Sequence, residues 1–248
     1  PDGKLYAVVG ENAIPSLSQD PMSPMGKVLR MNTNGSAPPD NPFYNDPSWN
    51  NLTYTYGHRN MFGIAFHPSR GTAYATENGP SCNDEVNRLI SGGNFGWGPS
   101  QTCSEPPAPP GNTNRDGPNP VLPIRWYDPV IVPTNAAFYT ANVPASSRGH
   151  LVVGSYADRG LHELTLDPVA GSSVLNETVL ATADEGILDV EMGLDGYLWV
   201  TTPSAIYRLV PALAPVSALP AVSLPIAGFA MSLCALTTPV DKRNRHRF

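Results

Sequence analysis

The feature that most constrains the fold is a repeated pair of strand-like segments, each pair introduced by a glycine turn. In both members polar and apolar residues alternate, and β-branched and aromatic residues are common. This pattern predicts pairs of strands, because the turn residues provide the positive φ that a tight hairpin needs. Four copies occur, with first members at 1–9, 69–77, 147–155 and 194–202, and second members at 26–32, 84–90, 160–166 and 205–210.

The spacing of this repeat predicts an all-β protein, a β-propeller. The turn glycines Gly3, Gly71, Gly149 and Gly196 lie 68, 78 and 47 residues apart. A unit of that length is typical of a four-stranded blade with insertions between its strands. A β-sandwich built from the same hairpins is the alternative. Because the chain opens directly on a turn, we expect a larger ring whose first blades are absent.

Composition and charge argue against one class of partner. The 248-residue chain has a formal net charge of −6 and an isoelectric point near 5.3, and its one dense basic run is the last eight residues. Surfaces that bind nucleic acid need clustered Lys and Arg side chains. We therefore expect no nucleic-acid partner.

Cysteines and glycosylation sequons indicate an exported protein. Cys82 and Cys103 flank a turn-rich segment, so we expect a disulfide that closes this loop, with two free thiols as the alternative. A disulfide implies an oxidising compartment. Sequons begin at Asn34, Asn51 and Asn176 and fit an exported chain. The expected location is extracytoplasmic, which means secreted, periplasmic or at the cell surface.

The segment ENGPSCNDEVN, residues 77–87, is rich in oxygen ligands and follows a predicted strand. Asp84 and Glu85 can provide carboxylate oxygens, and the Gly79-Pro80 peptide exposes backbone carbonyls. Ca²⁺ prefers hard oxygen ligands, about six to eight of them in irregular geometry. A plain turn is the alternative interpretation, because Asn and Asp are also common turn residues.

Three runs carry a family resemblance: GKVLRMNTNGSAPPDNPFYN, YGHRNMFGIAFHP and ENGPSCNDEVNRLISGGNFGWG. In this order and spacing they resemble the soluble pyrroloquinoline quinone (PQQ)-dependent glucose/sorbosone (aldose sugar) dehydrogenases. The resemblance continues more weakly through VPTNAAFY, HLVVGSY and ILDVEMGLDGYLWVTT, so residues 1–210 form the propeller domain. It implies six blades and oxidation of the C1 hydroxyl of aldoses with PQQ and Ca²⁺. It also implies a sugar substrate and an external electron acceptor as partners.

The resemblance also implies the residues of a cofactor site. Arg59 would lie beside the reactive quinone carbonyl, as a catalytic and cofactor-binding residue, and Asn60 would contact the cofactor. His58 is interpreted as a packed, structural histidine. A calcium site would use three backbone carbonyls and one carboxylate, from Gly79, Pro80, Phe95 and Glu85.

Departures from the family pattern leave a second function open. The general-base histidine of the family would precede residue 1, and the last-blade Arg-x-Arg-Asp pattern is matched by Gly186, Leu188 and Asp189. A fifth-blade lysine has Asp158 and Arg159 at its place, so Arg159 is a candidate cofactor contact. The alternative is therefore a non-catalytic propeller, a binding module at the cell surface that keeps only the metal corner.

The C-terminal residues have a different composition. Residues 211–240 form a Pro- and Ala-rich segment without charge, and residues 241–248 form a basic tail. This order suggests a membrane anchor or a sorting tail, with a disordered or packed tail as the alternative. The unbroken apolar part, residues 226–238, is too short to span a bilayer of about 30 Å.

Overall fold

A computed structural model describes residues 2–142, 144–211 and 231–235, and these residues form four antiparallel sheets. The first sheet contains three strands, which lie in chain order: β1 (Leu5–Val9), β2 (Lys27–Met31) and β3 (Thr53–Tyr56).

The other three sheets each contain four strands, again in chain order. The second sheet contains β4 (Asn60–Phe66), β5 (Ala73–Asn78), β6 (Asp84–Arg88) and β7 (Arg125–Tyr127). The third contains β8 (Pro133–Phe138), β9 (Leu151–Ser155), β10 (Gly160–Leu166) and β11 (Val174–Thr182). The fourth contains β12 (Asp189–Met192), β13 (Leu198–Thr201), β14 (Ile206–Pro211) and β15 (Met231–Ala235). Two short 3-10 helices, Pro15–Ser18 and Ala145–Ser147, lie in connections.

The repeated strand pairs correspond to the hairpins β1–β2, β5–β6, β9–β10 and β13–β14, so the prediction of four blades is confirmed. In the four-stranded sheets these pairs are the second and third strands. The first strands β4, β8 and β12 pack beside one another, as the inner strands of a propeller do.

Apolar side chains fill the space between successive sheets. Val28 of the first sheet packs with Met61 and Phe95, and Tyr74 of the second sheet packs with Leu151. A third cluster joins the third and fourth sheets through side chains that include Val152, Leu161, Val190 and Leu198. Burial of each such side chain contributes about 1.5–3 kcal/mol, so the inter-sheet clusters hold the blades in their order.

An ionic cluster adds a polar link between the second and third sheets. His162 lies between Asp158, at 2.9 Å, and Glu177, at 2.8 Å, and Arg125 of β7 contacts Glu177 at 2.6 Å. Burial disfavours the imidazolium, but the two carboxylates outweigh burial and raise the pKa of His162. Burial likewise opposes the charge of Glu177, and yet His162 and Arg125 lower its pKa to about 2.

Strand direction alternates, so every second connection lies at the same end of the sheets. We call this end the site end; it contains the connections 10–26, 57–59, 79–83, 128–132 and 156–159. Backbone hydrogen bonds join neighbouring connections there, such as Glu11 N–H to the Arg59 carbonyl at 2.8 Å and Tyr156 N–H to the Val132 carbonyl at 2.9 Å. The connections 67–72 and 167–173 lie at the opposite end.

Part of the apolar C-terminal segment belongs to the fourth sheet. Met231–Ala235 pairs with β14 as an antiparallel strand. Apart from Pro211, the last residue of β14, the remainder of the predicted anchor or sorting tail and the whole basic tail lie outside the described residues. Within the described ranges, no helix combines the length and the hydrophobicity needed to cross a membrane.

Candidate functional site

Arg59 and Gly79, two of the predicted site residues, are in direct contact at the site end. The Arg59 Nη1 group donates hydrogen bonds to the carbonyls of Asn78, at 2.7 Å, and Gly79, at 2.8 Å. The guanidinium carbon lies 5.4 Å from the ring centroid of Trp97, which is a cation–π distance. The buried Nε of Arg59 has no hydrogen-bond partner among the described residues. Arg59 is thus fixed in place and still has a donor to offer.

The connection that contains Gly79 is tightly folded. A Cβ atom at Gly79 would collide with the carbonyl oxygen of Cys82, so a side chain does not fit there. Pro80 follows at the exposed tip of the connection, and Asn60 is exposed at the start of β4. Both side chains are therefore open to solvent at the end where Arg59 lies.

Beneath this surface lies a buried pair of carboxylates. Glu77 of β5 and Glu85 of β6 are opposite each other in the strand register, and each is 4% exposed. The Asn87 side-chain amide donates to both, at 3.2 Å to Glu77 and 2.9 Å to Glu85. Burial, together with the charge of Glu77, raises the pKa of Glu85 well above its ordinary value. A bound cation would offset the repulsion between the two carboxylates.

His58 is the structural partner of Glu77. Its Nδ1 lies 2.9 Å from the Glu77 carboxylate, its Nε2 lies 2.8 Å from the Thr55 hydroxyl, and the residue is fully buried. The Arg59 backbone N–H donates to the other oxygen of Glu77. The imidazole also stacks on Phe95, with a centroid distance of 4.5 Å. Because both ring nitrogens are occupied, the structural interpretation of His58 agrees with its surroundings.

Phe95 and Glu85, two further predicted ligands, share one neighbour. The Asn114 side-chain amide donates to the Phe95 carbonyl at 2.7 Å and to Glu85 at 3.3 Å. Asn114 lies in the long connection between β6 and β7, which the predicted disulfide between Cys82 and Cys103 ties to the β5–β6 connection. The disulfide prediction is confirmed.

The predicted calcium ligands therefore fall into two groups. Gly79 and Pro80 lie at the surface beside Arg59, whereas Glu85 and Phe95 lie in the buried cluster, and no hydrogen bond joins the two groups in the described structure. The described residues also contain no cluster of three or more His, Cys, Asp or Glu side chains placed to bind a metal. Any cation here would depend on backbone carbonyls, and binding around one ion stays a prediction.

Arg159 lies at the site end but apart from Arg59. It is exposed in the β9–β10 connection, where its Nη1 donates to the Asp184 carbonyl at 3.0 Å. Asp189, which keeps the acidic position of the last-blade pattern, accepts a hydrogen bond from Asn135 at 2.7 Å. The structure thus brings Arg59 together with Gly79 but does not bring Arg159 into contact with them.

The family follows from a direct comparison. The model of the glucose/sorbosone dehydrogenase family matches residues 1–210. This protein belongs to that family.

Relatives of this glucose/sorbosone dehydrogenase family member include proteins named as sugar dehydrogenases. It is 30% identical over 209 residues to the aldose sugar dehydrogenase of Escherichia coli, covering 81% of this chain and 55% of that protein. It is 38% identical over 116 residues to quinoprotein glucose dehydrogenase B of Acinetobacter calcoaceticus, covering 39% of this chain and 24% of that protein. The PQQ-bound aldose sugar dehydrogenase of Streptomyces coelicolor superposes with a TM-score of 0.64 at 28% identity, over 82% of this chain and 53% of that chain.

The family and these relatives support a quinoprotein sugar dehydrogenase-like oxidoreductase. The chain spans about half the length of the E. coli and S. coelicolor relatives, 55% and 53%. The activity, substrates and partners of the whole protein are therefore proposals.

Sequence reasoning missed several polar residues of this family member. The pairing of Glu77 with Glu85 could have been found, because the two residues face each other in the register of the β5–β6 hairpin. Asn114 gives no such signal, since it reaches Glu85 across 29 residues of irregular chain. Glu11 is 7% exposed, and its carboxylate makes no hydrogen bond or ion pair in the described part of the chain.

Proposed function

We propose that this chain belongs to a quinoprotein oxidoreductase that oxidises the C1 hydroxyl of aldose sugars with PQQ and Ca²⁺. The sugar and an external electron acceptor would be its partners. One observation carries the proposal: the contact of the Arg59 guanidinium with the Gly79 carbonyl at the site end. Family membership supports it, and the names of two relatives specify a quinoprotein and bound PQQ.

The residues around Arg59 fit an anionic quinone. PQQ carries carboxylates and quinone oxygens, and both are good hydrogen-bond acceptors for a guanidinium. The Nη1 of Arg59 is already bonded to two carbonyls, whereas its Nε is a buried donor without a partner. An unpaired buried donor is costly, so a ligand acceptor at this place would remove that cost.

Arg59 has the main chemical role in this proposal. PQQ, when bound, supplies a quinone carbonyl that accepts a hydride equivalent from C1 of the sugar. A guanidinium held by two carbonyls and by Trp97 can stabilise negative charge on an oxygen without reorganising. Asn60 would bind the cofactor beside Arg59, and Arg159 would do so from the neighbouring connection.

Calcium fits the same corner on chemical grounds. Glu85 and the Phe95 carbonyl provide hard oxygen ligands in the buried cluster, next to the second carboxylate of Glu77. The carbonyls of Gly79 and Pro80 provide further oxygen ligands at the surface. A cation would compensate the negative charge that raises the pKa of Glu85.

No general base is assigned. Proton transfer from the sugar hydroxyl is typically worth about 10²- to 10⁴-fold in rate. His58 cannot accept this proton, because it is buried and both of its ring nitrogens are bonded.

An extracytoplasmic location is part of the proposal. The disulfide between Cys82 and Cys103 supports it, because such bonds persist in oxidising compartments. The non-catalytic binding module is the less favoured alternative, since the matching family model and the named relatives are sugar dehydrogenases.

A titration tests the proposal. PQQ and Ca²⁺ are added to the protein and binding is followed by visible absorbance. The change Arg59→Gln should weaken PQQ binding by about tenfold or more, the value expected when a charge-assisted hydrogen bond is lost. The matched control is Arg70→Gln, which changes an exposed arginine at the opposite end of the sheets. The proposal is wrong if PQQ produces no spectral change, or if both variants bind it equally well.

A further inference from the structure

Asp84 is a buried carboxylate that bonds to two different connections. It is 1% exposed. Its Oδ1 accepts the Gly79 N–H at 2.8 Å, and its Oδ2 accepts the N–H groups of Ile131, at 2.8 Å, and Val132, at 2.6 Å. Gly79 belongs to the β5–β6 connection and Val132 to the β7–β8 connection. One side chain therefore fixes two neighbouring connections at the site end.

The turn that receives Oδ2 has an unusual conformation. Val132 has a φ of +57°, in the left-handed region, which is unfavourable for a β-branched residue. Two successive N–H groups that point at one oxygen form a backbone nest, an arrangement that binds anions. A residue in such a strained conformation persists only where its surroundings fix it. The Asp84 carboxylate provides that fixing contact.

The same turn supports the connection that contains Arg159. The Tyr156 N–H donates to the Val132 carbonyl at 2.9 Å, and the Ala157 N–H donates to the Ile131 carbonyl at 2.9 Å. These two residues immediately precede Asp158 and Arg159. A shift of the Val132 turn would therefore move the start of the Arg159 connection.

We propose that Asp84 is a positioning residue for both arginines of the site. Through Oδ1 it fixes the Gly79 peptide, whose carbonyl accepts the hydrogen bond from Arg59, and through Oδ2 it fixes the turn that supports the Arg159 connection. Both oxygens accept backbone N–H groups, so every hydrogen bond of the Asp84 side chain supports one of these two connections. The link to cofactor binding rests on the proposed function, whereas the contacts of Asp84 do not.

The test uses Asp84→Asn. The amide keeps one acceptor oxygen and places an N–H₂ group against either the Gly79 N–H or the two N–H groups of the nest. We expect the backbone amides of Gly79, Ile131 and Val132 to exchange hydrogen about tenfold faster, and PQQ to bind about tenfold more weakly in the presence of Ca²⁺, as befits one lost charge-assisted bond. Amide exchange is measured by NMR and PQQ binding by visible absorbance.

A matched control is Asp167→Asn. The Asp167 carboxylate also accepts several backbone N–H groups, but all of them come from its own connection at the opposite end of the sheets. This variant should leave PQQ binding and amide exchange at the site end unchanged.

A second-site change distinguishes positioning from simple stabilisation. Glycine adopts the conformation of Val132 without strain, so Val132→Gly should restore part of the PQQ affinity that Asp84→Asn loses. If the single variant Asp84→Asn does not fold, the double variant Asp84→Asn/Val132→Gly is compared with Val132→Gly instead.

The outcomes separate the two proposals. Unchanged amide exchange in Asp84→Asn would refute the positioning role, and so would faster exchange with full PQQ affinity. Failure of the unmodified protein to bind PQQ would refute the proposed function, and the exchange comparison would still decide whether Asp84 fixes both connections.

Discussion

Replacing Glu85 by Gln should have opposite effects on stability in the presence and absence of calcium. Glu85 and Glu77 each accept a hydrogen bond from the Asn87 amide, at 2.9 and 3.2 Å, so their charges lie close together in a buried place. Burial and Glu77 raise the pKa of Glu85, which means that the folded protein binds this proton more tightly than the unfolded chain. Its stabilising contribution is therefore present at low pH and is lost as the pH rises through the raised pKa.

The size of the effect follows from the geometry. The two carboxylate oxygens that share the Asn87 nitrogen, at 3.2 and 2.9 Å, lie at most about 6 Å apart, and two unit charges at about 6 Å repel each other by about 3 kcal/mol at an effective dielectric constant of about 20. Glutamine removes this repulsion and weakens the hydrogen bonds from Asn87 and Asn114, each by about 0.5–1 kcal/mol. In chelator, at a pH above the raised pKa of Glu85, Glu85→Gln should thus be more stable by about 1–2 kcal/mol. For a domain of this size that corresponds to a melting temperature about 2–8 °C higher.

Calcium should make the unmodified protein more stable than Glu85→Gln. An ion that binds only the folded protein stabilises it by about 2.7 kcal/mol at a hundredfold excess over Kd, or about 5–11 °C. The unmodified protein should gain this increment, and Glu85→Gln should lose most of it because the neutral amide is a poor ligand for a hard cation.

The assay is thermal unfolding of both proteins in chelator and in calcium. The control is Glu105→Gln, which removes an exposed carboxylate from the Pro-rich loop and should change neither curve. If Glu85→Gln is less stable than the unmodified protein in chelator, the repulsion argument is wrong. If calcium stabilises both proteins equally, the ion does not bind at Glu85.

Further predictions concern other parts of the chain. The pKa of His162 is raised, so its stabilising contribution is complete below about pH 6.5 and is lost as the pH rises through the pKa of the folded protein. The free energy of unfolding in urea should show this loss in the unmodified protein and not in His162→Gln. The pKa of Glu177 is about 2, so its contribution should be lost only as the pH falls from about 4.5 towards 2, and Glu177→Gln should remove that acid dependence of unfolding. Changing Cys82 and Cys103 together to Ser should cost about 3 kcal/mol in the free energy of unfolding, and an unchanged value would show that the closed loop does not constrain the unfolded chain.

The fold could be predicted because its signal is local and repeated. A strand pair with a glycine turn has the same pattern in each blade. β5 begins four residues after the start of the predicted segment 69–77, which includes the turn, and ends one residue beyond it, and β6 starts with the predicted segment 84–90 and ends two residues before that segment ends. The fourth strands were less visible. β11 is mostly exposed on both faces and lacks clear alternation, and β7 is only three residues long.

The site was predictable only in part, for a physical reason. Arg59, Gly79, Glu85 and Phe95 follow from runs of sequence that resemble a family, and the structure joins them in pairs. The contact between Glu85 and Phe95 is made through the side-chain amide of Asn114. An asparagine in a loop has no sequence pattern that distinguishes such a bridging amide from an ordinary turn residue.

Most residues of the candidate site lie close together in the sequence, which affects when the site forms during folding. Apart from Arg159, its members lie between Thr55 and Asn114 and come from β3, from the strands of one blade and from the connection that the disulfide ties back to that blade. Contacts between residues close in sequence form early in folding, because little chain entropy is lost in closing short loops. This corner can therefore assemble as its own blade folds, before the later blades are in place.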